Sequence, residues 1–216
     1  MHESSIAVEG RGRAAGGARR GAATKISVFV AALLPLLWLV YRAVTDDLGA
    51  EPVRELELET GRWTLRLLAA TLAITPLRRL FGWNGLVKYR RMVGLFTFFY
   101  ATVHLALWVG ADYLFAFDQM AEEIVKHRYI LVGMATYLLL LPLAITSTKG
   151  WIRRLGGARW NRLHRLVYLA AITGTVHYLW AVKKDTLWPV VYLVVFAVLL
   201  GLRAWWWKRR PVRRET

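Results

Sequence analysis

Two histidines, His104 and His177, lie deep inside long apolar segments of the chain. Each is about a dozen residues into its segment, where an ionisable side chain is costly and therefore marks a functional candidate. A single imidazole in a membrane has an alternative role, which is a hydrogen bond between two helices. Two imidazoles on neighbouring helices also suit an iron porphyrin, which takes one neutral nitrogen ligand on each face.

An arginine lies near the start of each of these two apolar segments. His104 follows Arg91 by 13 residues, and His177 follows Arg165 by 12. At about 1.5 Å per residue, both imidazoles lie at nearly the same depth in helices that run in the same direction. The sequence thus predicts that one heme b lies between His104 and His177 in the outer half of the membrane. Gly174, one turn before His177, is expected to leave room for the edge of the macrocycle.

Two further side chains are candidates for cofactor binding. His164, at the cytoplasmic start of the fifth apolar segment, either binds a second, inner cofactor or caps the helix and contacts lipid phosphate. On an ideal helix it lies about 140° around the axis from His177, and the third segment has Arg91 at the matching depth. Arg66 either extends toward the lipid headgroups or pairs with a heme propionate.

The composition excludes several kinds of redox site. The chain has no cysteine, which excludes disulfides, iron–sulfur clusters, thiolate heme ligands and covalent heme attachment. Any heme is therefore bound non-covalently. No G-x-G-x-x-G motif opens a helix behind a strand, so electrons must come from another polypeptide.

The elements that position these residues are six apolar runs, which predict an all-α integral membrane protein with six transmembrane helices. The second run is the shortest and carries Arg66. The runs span residues 26–44, 63–77, 92–111, 129–147, 163–182 and 187–206.

The charges between these runs alternate and predict the topology. The N-terminal tail and residues 76–92, 148–165 and 208–216 contain 21 Lys or Arg and three acids. The intervening segments contain six basic residues and eleven acids. Because cytoplasmic loops are rich in Lys and Arg, both termini are expected in the cytoplasm.

The net charge of +16 is accordingly explained by topology and anionic lipid, and not by nucleic acid. The expected organisation is a basic, disordered cytoplasmic tail at 1–24, a heme-binding transmembrane domain at 25–207 and a basic cytoplasmic tail at 208–216.

Several segments together resemble the MsrQ (YedZ) family, the heme-binding membrane subunit of the periplasmic methionine sulfoxide reductase system. The resemblance covers most of the membrane region. The matching segments are Thr60-Gly61-Arg62-Trp63, Ile74-Thr75-Pro76-Leu77-Arg78-Arg79, Tyr89-Arg90-Arg91-Met92-Val93-Gly94-Leu95, Tyr100, His104, Leu140-Leu141-Pro142-Leu143-Ala144-Ile145-Thr146-Ser147, Trp160-Asn161-Arg162-Leu163-His164-Arg165-Leu166-Val167-Tyr168 and His177-Tyr178.

The resemblance implies a ferric-reductase-like transmembrane bundle in the bacterial inner membrane. It implies heme b on His104, His177 and the position of His164, together with an FMN. The chain would be an electron-transfer subunit and not a complete enzyme. Its donor would be a cytoplasmic flavin reductase or quinone, and its acceptor a periplasmic molybdopterin-containing methionine sulfoxide reductase that repairs oxidised proteins.

Two alternatives stay open from the sequence. One is a membrane ferric-chelate reductase-type cytochrome, although the loops show no cluster of His or Met for an outer metal site. The other is a non-redox transporter or assembly subunit, in which the two histidines form a proton relay or packing contacts.

Overall fold

The structure is a computed structural model that describes the backbone of residues 3–182 and 184–209, and side chains from residue 21 onward within those ranges. All regular structure in these ranges is helical. A 3-10 helix at Asn84–Tyr89 precedes the third α-helix, and a π-helical turn at Trp108–Asp112 follows it. The α-helices are α1 Glu3–Val44, α2 Pro52–Phe81, α3 Arg90–Leu107, α4 Phe117–Lys126, α5 Arg128–Ile145, α6 Lys149–Leu163, α7 Leu166–Ala181 and α8 Leu187–Lys208.

The first helix forms a compact unit of its own, because the chain divides into two units after Thr45. α1 includes residues 3–24, for which the composition predicts disorder. The disorder of this tail and the domain limits at residues 24 and 207 remain predictions from the sequence. His2 and residues 210–216, most of the predicted C-terminal tail, lie outside the described residues.

Several helices are long and apolar enough to cross a membrane, and α7 is a shorter apolar helix. The chain is therefore an all-helical, multi-pass membrane protein. α2 contains the predicted second span, but its first half also carries Glu55, Glu57 and Glu59. These charges lower the mean hydropathy of α2, which is therefore not among the helices that are apolar enough to be identified as spans. The long apolar segments are Gly21–Val44, Asn84–Asp112, Arg128–Ile145 and Leu187–Lys208.

Two segments that were expected to be loops contain helices. α4 is short and amphipathic, with Met120 buried and Asp118 in its first turn. Thr148 caps the start of α6, because its side chain accepts a hydrogen bond from the Trp151 backbone N–H at 3.3 Å. Gly156, with φ of 71°, kinks α6. Neither helix is apolar enough to be predicted as a span, and hydropathy alone therefore missed both.

In the second unit α2 is central and packs against α3, α7 and α8. Its leucines Leu65, Leu68 and Leu72 are buried against residues of α7 and α8. A second close pair is formed by α5 and α7. The outward faces carry exposed apolar side chains, such as Leu193 and Val194 of α8, which suits helices surrounded by lipid.

Candidate functional site

The two helices that carry His104 and His177, α3 and α7, run in the same direction. Residues early in α2 lie beside residues late in α3 and α7, and later residues of α2 lie beside earlier ones. α2 is thus antiparallel to both helices, which makes α3 and α7 parallel to each other, as the sequence predicts. The contacts are Gly61–His104, Thr71–Gly94, Arg62–Tyr178 and Leu65–Gly174.

The structure brings His104 and His177 together. Their ring centres are 6.2 Å apart and their planes are inclined by 77°. α3 packs closely on α2, and α7 packs closely on α5, whereas α3 and α7 share few direct contacts. The two imidazoles therefore meet between two helix pairs.

Both imidazoles are oriented by backbone carbonyls. Nδ1 of His104 lies 2.9 Å from the carbonyl oxygen of Glu57 in α2. Nδ1 of His177 lies 2.7 Å from the carbonyl oxygen of Tyr129 in α5. Because a carbonyl only accepts hydrogen bonds, each Nδ1 must carry the proton, and each Nε2 keeps a free lone pair. Two neutral imidazoles with free Nε2 atoms are suitable metal ligands.

The separation and the donor set fit an iron porphyrin. Two imidazoles that bind one metal ion through bonds of about 2 Å, with each ring centre ~1 Å behind its nitrogen, have ring centres ~6 Å apart. The distance between His104 and His177 agrees with this value. The protein supplies two nitrogen ligands, and a porphyrin supplies the other four of a six-coordinate iron.

Gly174 has different neighbours from those expected. It is buried, and a Cβ built on it would lie 3.4 Å from Leu65 and 3.4 Å from Thr136. Gly174 therefore allows α7 to pack closely on α2 and α5. The glycines that adjoin the imidazoles are Gly61 and Gly133.

Arg66 lies beside Glu59, with an Nη1–Oε2 distance of 3.3 Å, and its guanidinium covers the ring of Trp63. The same carboxylate accepts a shorter bond of 2.7 Å from Arg62. Arg62 also donates from Nε to the hydroxyl of Tyr178 at 3.0 Å.

Arg62 is linked to both histidines through neighbouring residues. It follows Gly61, which faces His104, and its partner Tyr178 follows His177. Arg66 was the expected propionate partner because it lies within the second apolar run, whereas Arg62 lies just before that run. The signal for Arg62 was its place in the Thr60-Gly61-Arg62-Trp63 motif.

His164 is separated from α7 by a turn at His164 and Arg165, so it is not in one continuous helix with His177. Its ring stacks on Trp160 with centres 3.8 Å apart. Nε2 lies 3.1 Å from the hydroxyl of Thr146, which donates its own proton to the carbonyl of Pro142 at 2.6 Å. The hydroxyl therefore accepts a bond from His164, and Nε2 carries a proton in this arrangement.

The loop and helix that follow α3 are acidic. Burial and then the nearby carboxylates of Glu123 and Asp112 raise the pKa of Tyr113 above its usual value. His127 is paired with Glu123 at 2.7 Å and is 41% exposed. This contact with a carboxylate gives His127 a structural role that requires no cofactor.

The chain matches a known family of membrane proteins. Residues 60–175 match the family described as "Ferric reductase like transmembrane component". This range includes α3, α5 and most of α7, and it contains His104 and Tyr129, whereas Glu57 and His177 lie just outside it. No solved structure is significantly similar to the chain.

Several curated relatives share about half of their residues with this chain, and three of them, from different bacteria, bear the name protein-methionine-sulfoxide reductase heme-binding subunit MsrQ. The protein of Herminiimonas arsenicoxydans is 48% identical over 189 residues, which are 86% of this chain and 87% of the relative. That of Xanthomonas axonopodis pv. citri is 48% identical over 90% of both chains. That of Rhodospirillum rubrum is 50% identical over 83% of this chain and 86% of its own. At this identity and coverage, the chain belongs to the MsrQ family of ferric-reductase-like transmembrane proteins.

Proposed function

We propose that this chain is a heme b electron-transfer subunit with the heme iron bound between His104 and His177. The observation that carries the proposal is the close pair of imidazoles, each with its Nδ1 hydrogen-bonded to a backbone carbonyl. The relatives' printed name, heme-binding subunit, supports the same cofactor. When bound, heme supplies reversible one-electron chemistry.

The chain's own residues bind and orient that cofactor. His104 and His177 would hold the heme iron, and the carbonyls of Glu57 and Tyr129 orient the two rings. Arg62, which donates a hydrogen bond to Tyr178, is a candidate partner for a propionate, and Arg66, which contacts Glu59, is a second one. Both imidazoles are half-buried among the helices, and the polarity of that environment would influence the reduction potential.

We further propose six spans with both termini in the cytoplasm of a bacterial inner membrane. The alternation of basic and acidic segments supports this orientation. α2 serves as the second span, because its charges at Glu59, Arg62 and Arg66 pair with one another. The histidine pair then lies nearer to the periplasmic side.

In this orientation electrons enter from the cytoplasm and leave to the periplasm. The proposed donor is a cytoplasmic flavin reductase or quinone, and the proposed acceptor is a periplasmic molybdopterin methionine sulfoxide reductase that repairs oxidised proteins. The name of the relatives, protein-methionine-sulfoxide reductase heme-binding subunit, supports a methionine sulfoxide reductase as the acceptor. An FMN is proposed on the basic cytoplasmic side, near residues 78–91 and α6. His164 stays a candidate ligand of an inner cofactor there, as the alternative to the structural role that its contacts with Thr146 and Trp160 support.

Absorption spectroscopy of the purified full-length chain tests the cofactor. The wild type should show a Soret band and, after reduction, an α band. His104→Ala and His177→Ala should each abolish the low-spin spectrum, because each removes an axial ligand. His127→Ala is the matched control, since His127 pairs with Glu123 and should keep the wild-type spectrum.

A colourless but folded wild-type protein would contradict the heme proposal and favour a transporter or assembly subunit. The direction of electron flow is tested in proteoliposomes. Flavin reductase on the cytoplasmic side should reduce the heme, and added methionine sulfoxide reductase on the other side should reoxidise it. Reoxidation by ferric chelates, with none by the reductase, would instead favour a ferric-chelate reductase.

A further inference from the structure

The two imidazoles are held by the same local arrangement, which occurs once in each helix pair. Each carbonyl that accepts an Nδ1–H bond precedes a glycine by four residues. Glu57 precedes Gly61 in α2, and Tyr129 precedes Gly133 in α5. Four residues is the spacing at which a helical carbonyl meets its own N–H partner. The glycine is therefore one turn above the carbonyl, on the same face of the helix.

These glycines occupy positions where a side chain would collide with an imidazole. A Cβ built on Gly133 would lie 2.7 Å from both Nδ1 and Cε1 of His177, which is closer than real contacts allow. A Cβ on Gly61 would lie 3.3 Å from Cε1 and 3.4 Å from Nδ1 of His104. The site at His177 is thus the tighter of the two.

In both sites the added Cβ would meet the Nδ1–Cε1 edge of the imidazole, and Nδ1 is the atom that donates to the carbonyl. A helical carbonyl has a second lone pair, which accepts a side-chain donor only if that donor can approach the helix surface. Without a Cβ in the next turn, the imidazole edge reaches the carbonyl. The bond then selects the Nδ1–H tautomer, orients the ring and increases the donor strength of Nε2.

We propose that Gly61 and Gly133 are positioning residues of the heme site. Each opens the space through which its histidine reaches a backbone carbonyl, and through that bond it influences ring orientation and the iron potential. The proposal rests on the proposed heme function of the pair. Substitution of Gly133 should disturb the site more than substitution of Gly61, because a Cβ on Gly133 would overlap the His177 ring.

The competing explanation is that these glycines only allow close packing of helices. The chain contains controls for that explanation. Gly174 is a buried glycine whose Cβ would meet Leu65 and Thr136 at 3.4 Å and no imidazole. Gly94 faces only Thr71, at 3.6 Å. Alanine at these positions tests packing without touching either histidine.

The test compares Gly133→Ala, Gly61→Ala, Gly174→Ala and Gly94→Ala in the full-length, purified chain. The measurements are heme content, the electron paramagnetic resonance of the ferric protein, the reduction potential and the circular dichroism. Because changes to partners of metal ligands usually cost 10- to 100-fold in affinity, Gly133→Ala should lower heme affinity roughly 10- to 100-fold. Its remaining heme should show a changed low-spin signal and a more positive potential, since a weaker imidazole donor stabilises the ferric iron less.

Gly61→Ala should keep its heme and show a smaller change in the same direction, so it remains informative if Gly133→Ala does not fold. Both control variants should keep the wild-type resonance signal and potential even where helix packing is weakened. Wild-type resonance and potential in Gly133→Ala and Gly61→Ala would overturn the proposal. Equal spectral changes in Gly174→Ala would also overturn it. Absence of heme from the wild type would overturn the proposed function itself, so the two failures are distinguishable.

Discussion

Arg203 of α8 donates a hydrogen bond from Nη2 to the carbonyl oxygen of Leu72 in α2. In a regular helix that carbonyl would accept from the residue four positions later, which here is Pro76 and has no N–H. Arg203 therefore satisfies an acceptor that the proline leaves without a helical partner. Its guanidinium also covers the ring of Tyr168, 5.2 Å from the centroid. One charged side chain thus joins α8 to α2 and α7.

This relationship predicts a non-additive pair of substitutions. Arg203→Met should destabilise the protein by roughly 1–3 kcal/mol, because it leaves a buried carbonyl unsatisfied. In a Pro76→Ala background the alanine N–H can bond that carbonyl, and the same substitution should cost less. Reversible denaturation of the four proteins in bicelles measures the difference. Equal losses in both backgrounds would show that Arg203 acts through Tyr168 or general packing instead.

The proposed topology predicts the sidedness of labelling by a membrane-impermeant maleimide. The natural chain has no cysteine, so single-cysteine variants require no background substitutions. Asp47→Cys and Asp118→Cys should be labelled in intact spheroplasts. Lys88→Cys and Arg153→Cys should be labelled only after the cells are opened. Labelling of Lys88→Cys in intact cells would contradict the proposed orientation.

The surroundings of Glu59 predict unequal effects of two arginines on the heme. Removal of a positive charge near the iron stabilises the oxidised form and lowers the reduction potential. Arg62→Gln should lower the potential more than Arg66→Gln, because Arg62 bonds Tyr178 beside His177. Arg54→Gln is the control, since Arg54 and its partner Glu51 are both 68% exposed. Potentiometric titration of the three variants measures these potentials. A larger decrease in Arg66→Gln than in Arg62→Gln would identify Arg66 as the propionate partner instead.

The inner histidine gives a prediction about stoichiometry. Nε2 of His164 is bonded to Thr146, and its ring stacks on Trp160. We therefore expect His164→Ala to lower the melting temperature and to leave the heme-to-protein ratio unchanged. Thr146→Val removes the same hydrogen bond and should lower the free energy of unfolding by roughly 1 kcal/mol. Pigment analysis decides the point, since a ratio reduced by half would identify His164 as a ligand of a second heme.

Much of the histidine site follows from the sequence, because helix rise converts residue counts into depth. The counts from Arg91 to His104 and from Arg165 to His177 predicted two imidazoles at one level on parallel helices. The structure brings the rings to 6.2 Å. That conclusion needed only the direction and pitch of α3 and α7.

The partners of the histidines did not follow from the sequence. Glu57 and Tyr129 contribute backbone carbonyls, which every residue has, and only tertiary packing selects them. Gly133 likewise lies in an apolar span with no local feature that distinguishes it from Gly174. The helices α4 and α6 were missed because neither is apolar enough to form a span.

The two helix pairs also have a consequence for biogenesis. α2 with α3 contains one imidazole and its carbonyl, and α5 with α7 contains the other set. Each hairpin-like half can therefore present a correctly oriented ligand before the halves meet. The two halves also meet through α2, whose leucines pack against α7 and α8, and a heme bound between the two histidines would add a further link between them. A chain made without heme should accordingly be held together at this level only by helix packing, such as that of α2 on α7, and proteases should cleave it more readily than the heme-loaded chain.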